Sequence, residues 1–418
     1  MKNKILILGS NPETASLVKK AKQKGLFVYV IGKEKKSTTK TIADVPILGD
    51  ASNINFVKEI LDKNNIGALM VGTVDVLINT YEKVCRELKF PCYANKKSVK
   101  VFSSKTNFSR VCKKFGFKEI PDYTRYLKKK NNLPEKLFPV VIKPVDSGGG
   151  VGTTLCHSNN EIYSALTNAK KFSRTKSFLC QDYFLEDDIQ LYFTIVNKEV
   201  FLSSVSDRFT TKIQKKKAPV CIGANYNSKY LNLILRKYHK KFKRLINYLR
   251  IDNGILSIQC FVKNNELYPY DPGFRLQGEG NHLVLNKINK IDHLDMLLNL
   301  STGKPFFIGN FKKFNDPYLK KKFVSSVWIL LKKGTIAKIL NIEKIKRHKY
   351  FLDIVQRFDV GDIVKSSYIG TEKQVFCRIY LASTLKKELA KSIEYIHRNL
   401  EILDTSNKSL ILDRYTYS

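Results

Sequence analysis

Residues 143–155 read KPVDSGGGVGTTL. Glycines this dense can expose backbone N–H groups to a phosphate, because no Cβ blocks the approach. They can equally form a flexible turn. The flanking sequence decides the fold. LFPVVIK (137–143) reads as an apolar strand and VGTTLCH (151–157) as a second one. Ser158 and Glu161 have capping-box spacing, so a helix over 160–172, NEIYSALTNAKKF, is expected only after that second strand. A Walker A or dinucleotide loop runs from a strand directly into a helix, and the GK[ST] ending is missing here. The glycines therefore belong to a hairpin that can fold over a ligand.

Upstream, residues 1–100 alternate apolar strands (KILILG, FVYVIG, IGALMVG) with helices (PETASLVKKAKQKG, DVLINTYEKVCREL), the pattern of a parallel βαβ sheet. GSNPETA after the first strand is not GxGxxG, so a dinucleotide site is not expected there. Residues 101–310 mix helices and strands in an α+β order. Residues 311–418 carry three strand-like runs and the helix LKKELAKSIEYIHRNL.

The formal charge is +37 over 418 residues. Lysines far outnumber arginines and are spread along every segment, a compositional bias laid over an ordinary fold. Arginine is the preferred base reader, so specific nucleic-acid recognition is not expected. No run is long enough for a membrane span. Eight scattered cysteines without a CxxC pair point to free thiols in the cytoplasm.

Four features carry chemistry. Lys143 ends a strand beside the glycines. Lys105 falls in the first turn of the helix SSKTNFSRVCKKFG, where the macrodipole disfavours a cation unless an anion is near. QDYFLEDD (181–188) follows an apolar strand, so its backbone can read a flat base and its acids can meet hydroxyls, or form a solvated turn. GILSIQCFVKNNELYPYD (254–271) is a hairpin with oxygen donors Gln259 and Asp271 on its two strands, suited to Mg²⁺. The two face each other only if the turn is centred on Asn265; a two-residue turn at Asn264-Asn265 would place them on opposite faces.

In this order, KTNFSRVCKKFGFKEIP, FPVVIKPVDSGGGVGTT, QDYFLEDD and GILSIQCFVKNNELYPYDPGFRLQGEG resemble the ATP-grasp superfamily, particularly its biotin carboxylase and carbamoyl-phosphate synthase large-subunit branch. The resemblance spans nearly the whole chain. It implies a parallel α/β domain (1–100), a two-lobed core with antiparallel sheets (101–310, lid lobe about 120–180) and a small α+β closing domain (311–418). It implies that Lys105, Lys143 and Gly148, Gly149 and Gly150 hold ATP phosphates. Gln181, Asp182 and Phe184 would line the adenine and Asp188 the ribose. Gln259 and Asp271 would bind Mg²⁺, with Mn²⁺ as an alternative. Arg275 would steady the transferred phosphoryl group, and Glu279 stands where biotin carboxylases place a base.

The sequence departs from the pattern at Gln259, where Glu is commoner, and at Gly273, where an Asn ligand is usual. The activity implied is a carboxylate–amine ligase working through an acyl phosphate on small-molecule substrates, and a homodimer is compatible with it. A bicarbonate-activating carboxylase or carbamoyl-phosphate-type enzyme, and an inactive nucleotide-binding protein, are the alternatives. The segment 206–230 is expected near the substrate.

Overall fold

A computed structural model describes residues 3–35, 37–211, 219–412 and 414–415. The lysine run within 212–218, expected near the substrate, lies outside the described residues. The strands Lys4–Leu8, Phe27–Gly32, Val45–Leu48 and Ala68–Val71 form a parallel sheet, with the first strand between the second and the last. The strand Val45–Leu48 had no expected counterpart. Its alternation is half-buried and is broken by Pro46, as suits a sheet edge.

The glycine stretch joins Val140–Pro144 to Thr154–Cys156, which pair antiparallel with Ile142 opposite Thr154. Phe178–Asp182 completes this three-stranded sheet. A small core of its own, including Leu127, Ile142, Ile162 and Ala165, packs the helices Thr124–Lys130 and Ile162–Phe172 against it. The expected capping box takes another form. Ser158 makes no side-chain cap bond, and Glu161 accepts instead from the His157 N–H at 2.8 Å. One tight turn, 159–161, precedes the helix and shifts the register of the cap.

The largest element is an eight-stranded antiparallel sheet. Its order is Glu266–Gly273, Gly254–Lys263, Asp187–Val196, Glu199–Thr210, Cys221–Asn225, Phe323–Leu330, Val375–Ser383 and Phe351–Gln356. It therefore runs without a break from the hairpin of Gln259 and Asp271 into the C-terminal part of the chain. The helix after residue 230 begins at Leu231–Leu233, widens over Ile234–Tyr238 and continues as His239–Tyr248. Within that wide turn Ile234 is buried and Leu235 is half-buried.

Gly280 shows how tightly the sheet meets the segment that follows Arg275. Its φ is 77°, and a Cβ there would stand 2.0 Å from the Tyr380 hydroxyl. That hydroxyl donates to the Glu279 carbonyl at 2.7 Å. Gly280→Ala is expected to cost about 2–4 kcal/mol, from backbone strain and a clash with a buried ring. Urea denaturation measures it, and a loss below about 1 kcal/mol would show that Tyr380 yields freely.

Candidate functional site

Ser104 caps the helix Lys105–Lys114 by accepting from the Asn107 N–H. The Lys105 N–H donates to the Val145 carbonyl at 3.3 Å, which ties the start of this helix to the chain just beyond Lys143. The Lys105 ammonium lies 2.5 Å from Asp271 Oδ1. An anion thus meets the cation that the helix dipole disfavours, and it comes from a strand 166 residues away.

The hairpin closes with a two-residue turn, since Lys263 pairs with Glu266 and both Asn264 and Asn265 have positive φ. Such a turn alone would part Gln259 from Asp271. A bulge corrects the register: Cys260 pairs with Pro269 but Gln259 pairs with Asp271, so Tyr270 is the extra residue. The two oxygen donors end on one face by a route different from the odd-numbered loop expected.

The eleven residues expected to hold nucleotide and metal line one cavity of about 340 Å³: Lys105, Lys143, Gly148, Gly149, Gly150, Gln181, Asp182, Phe184, Asp188, Gln259 and Asp271. Ile120, Val141, Leu185 and Phe261 add apolar walls suited to a flat ring. They were missed because each reads as an ordinary apolar strand or loop residue. Phe184 is fixed edge-on to Tyr268, with ring centres 5.0 Å apart. The backbones of Gln181 and Asp182 are engaged in the three-stranded sheet, and the Tyr183 N–H donates to the Pro139 carbonyl at 3.3 Å. Phe184 and Leu185 lie outside any strand, so their backbone is the better placed to meet a base edge.

Asp188 accepts from Arg208 at 2.9 Å and from the Tyr270 hydroxyl at 3.0 Å. Burial raises its carboxyl above the usual range, and Arg208 opposes the shift. Arg208 also donates to Glu279 at 3.1 Å, and Gln259 Nε2 donates to the same Glu279 oxygen at 3.3 Å. Glu279 is buried, and burial raises its carboxyl too. With its amide nitrogen so used, Gln259 has its carbonyl oxygen left, the atom a hard cation takes. Among the described residues no cluster of three or more His, Cys, Asp or Glu could hold a metal ion. The donor set fits Mg²⁺ held by Asp271, Gln259 and phosphate oxygens, since this ion needs only one or two protein ligands.

Gly273 stands close against Ser257. A Cβ there would lie 2.8 Å from Ser257 Oγ, which would have to shift, and in ordinary contact with Arg275 Nη1 at 3.4 Å. Ser257 was not singled out in the sequence, because its closeness to Gly273 depends on the cross-strand register.

Arg275 and Glu279 do not line the 340 Å³ cavity. They face an adjoining cleft of about 270 Å³, which shares Gly148, Gly149, Gln259, Asp271 and Glu372 with it. Arg275 pairs with Asp75 at 2.5 Å, from the segment after the last parallel strand.

This geometry can be set beside known proteins. Over nearly its full length the chain superposes on an L-amino acid ligase from Bacillus licheniformis, with a TM-score of 0.77, 14% identity, and 97% and 99% of the two chains covered. The biotin carboxylase domain of 2-oxoglutarate carboxylase from Hydrogenobacter thermophilus, solved with MgADP and bicarbonate, gives a TM-score of 0.74 at 14% identity, covering 99% and 92%. The chain has the ATP-grasp fold. No family model matches it. A formate-dependent phosphoribosylglycinamide formyltransferase from Prochlorococcus marinus is 24% identical over 312 residues, 72% of this chain and 77% of the relative. The formyltransferase of the same description from Wolinella succinogenes is 21% identical over 293 residues, 65% of this chain and 71% of the relative. No helix of the described residues is long and apolar enough to cross a membrane.

Proposed function

We propose that the protein is an ATP-dependent carboxylate–amine ligase. A carboxylate attacks the γ-phosphate of ATP, giving ADP and an acyl phosphate. An amine then attacks the acyl carbon, the C–N bond forms, and the bond to phosphate breaks. One observation carries the reading. A nucleotide-sized cavity and a second polar cleft meet at Gln259 and Asp271, with the glycine stretch 148–149 along both. Lys105, Lys143 and the glycine N–H groups would hold phosphates. Mg²⁺ on Asp271 and Gln259 would supply charge neutralisation. Arg275, from the cleft side, would bind the acyl phosphate, and closure of the glycines over it would exclude water.

In the same proposal the chain divides at 1–100, 101–310 and 311–418, and it works in the cytoplasm, in keeping with eight free cysteines. The test is ADP release with Mg·ATP, each of a panel of carboxylates beginning with formate and bicarbonate, and an amine panel. Release that needs both a carboxylate and an amine supports the ligase. Release with bicarbonate alone favours the carboxylase reading, and no release with any pair favours an inactive nucleotide binder. Light scattering on the same preparation tests the homodimer.

Lys143 gives this reading a pH signature. Burial, and then the neighbouring Lys105 ammonium, hold it down to about 8. Phosphate beside it favours the charged form, so the bound protein keeps this proton to higher pH. Below about 8 the free protein already holds the proton and affinity is flat from this group; above it, binding takes up a proton and affinity falls as pH rises. Calorimetry of ADP binding in buffers of different ionisation enthalpy should therefore show net proton uptake above about pH 8. Proton release would contradict the placement of Lys143.

A further inference from the structure

Tyr270 is the extra residue of the hairpin bulge, and the bulge changes where it points. Consecutive strand residues face opposite sides of a sheet, so Tyr270 and its neighbour Asp271 would ordinarily part. Here both line the 340 Å³ cavity. The distortion falls on an edge strand, between Pro269 and Pro272, where prolines are tolerated. The Tyr270 ring stacks on Phe261 of the neighbouring strand, with centres 4.5 Å apart and planes 17° from parallel. Lys143 Nζ stands 5.8 Å from the ring centre. The ring thus lies between the phosphate-side lysine and Asp188, which its hydroxyl reaches.

That hydroxyl belongs to a triangle of polar groups. It lies 3.3 Å from Arg208 Nη1 and 3.0 Å from Asp188 Oδ1, while Arg208 Nη1 meets Asp188 Oδ2 at 2.9 Å. A guanidinium only donates, so the phenol accepts from Arg208 and its single proton goes to Asp188. Burial, and then Asp188, raise the phenol above its ordinary value, which keeps that proton in place. Asp188 is therefore fixed through both of its oxygens, at the wall of the nucleotide cavity. A carboxylate has about four acceptor positions. Tyr270 and Arg208 take one on each oxygen, so each oxygen keeps a lone pair for a ligand. Two acceptors on one fixed carboxylate match the two donors of a vicinal diol.

We propose that Tyr270 is a positioning residue for the nucleotide sugar: by holding Asp188 it makes the protein select ribonucleotides over nucleotides whose sugar lacks the 2′- and 3′-hydroxyls. The inference rests on the nucleotide reading of this cavity, with the sugar at Asp188, and it concerns binding alone. Without the Tyr270 hydroxyl, Asp188 Oδ1 loses its donor and the carboxylate is held by Arg208 alone. The bond from Tyr270 also favours the charged carboxylate, so its loss lets burial push Asp188 higher. A hydroxyl donates more strongly to a charged, oriented carboxylate than to a neutral, turning one. Both effects act on the sugar and leave the base and phosphate contacts in place.

The test is calorimetry of the full chain with Mg²⁺, comparing ADP with 2′,3′-dideoxy-ADP. The wild type is expected to bind ADP at least about tenfold more tightly, the worth of a hydrogen bond to a charged group. Tyr270→Phe keeps the ring and its stack on Phe261. It should bring the preference below about threefold by weakening ADP, with the dideoxy nucleotide changed less than about twofold. A merely structural defect would weaken both nucleotides together and leave their ratio as it was. Asp188→Asn should also remove the preference, and it guards against misfolding of the first variant. No preference in the wild type, an unchanged ratio in Tyr270→Phe, or a preference that survives Asp188→Asn overturns the inference. If the preference and its loss appear while no carboxylate and amine support ADP release, the ligase reading falls and the role of Tyr270 stands. If ADP release needs both substrates but the sugar hydroxyls do not matter, the ligase stands and the inference falls.

Discussion

Asp271→Ala is expected to lower Mg·ATP turnover roughly a thousandfold, a loss at the upper end for one preorganised electrostatic group. Two effects combine. The change removes the only carboxylate of the Gln259–Asp271 pair, so a bound Mg²⁺ keeps one neutral protein oxygen. It also removes the 2.5 Å partner of Lys105. Lys105 then faces Lys143 across the cavity with no carboxylate between them. Asp271 favours the charged form of Lys143, so its loss makes that ammonium harder to keep. The Asp271 side chain is 30% exposed, and replacing it opens no core cavity. The variant should fold, with an unchanged circular dichroism spectrum. ADP release at saturating Mg²⁺ is the measurement, and activity within about tenfold of wild type would remove Asp271 from the metal site. Asp271→Asn should fall between the two, since it keeps an oxygen but not the charge.

Lys143→Met is expected to weaken ATP binding about 30- to 150-fold, the worth of a charge-assisted bond to phosphate of about 2–3 kcal/mol. Met keeps the length of the side chain and packs against the strand, so lost affinity is not lost structure. Stability should move the other way. Lys143 sits below its ordinary value because the site resists its charge, so the free folded protein at neutral pH carries a penalty that Met lacks. Weaker ATP binding with an unchanged or higher melting temperature is the expected pair of results. Lys143→Ala should lose affinity similarly. Unchanged affinity in both variants would return the glycine stretch to a plain hairpin.

The glycine hairpin was legible from the sequence because everything that defines it is local. The apolar run before it, the second strand and the late helix start left one arrangement open. That Lys105, Lys143 and Gly148 to Gly150 would line one cavity was legible for the same reason, each sitting in a short motif. What escaped was set by register and by distance along the chain. The bulge at Tyr270 has no signature beyond Pro269 and Pro272 on either side, yet it decides which face Asp271 occupies. Ser257 matters only because it stands opposite Gly273. Asp75, which pairs with Arg275 from 200 residues away, reads by itself as a solvated acid. Arg208, in the segment 206–230 expected near the substrate, is spent in the fold on Asp188 and Glu279. The cap at Ser158 failed because the first turn formed one residue early and drew Glu161 to His157.

The unbroken eight-stranded sheet has a consequence for how the protein can be cut or fused. Cys221–Asn225 is paired on one side with Glu199–Thr210 and on the other with Phe323–Leu330. Ending the chain before Phe323 would bare the whole backbone edge of Cys221–Asn225, with Val220 and Ile222 beside it stripped of the apolar neighbours Trp328 and Ile329. A bare, flat, apolar edge recruits other chains. The last hundred residues are thus the selvedge of the catalytic sheet, a finished margin woven into the same cloth.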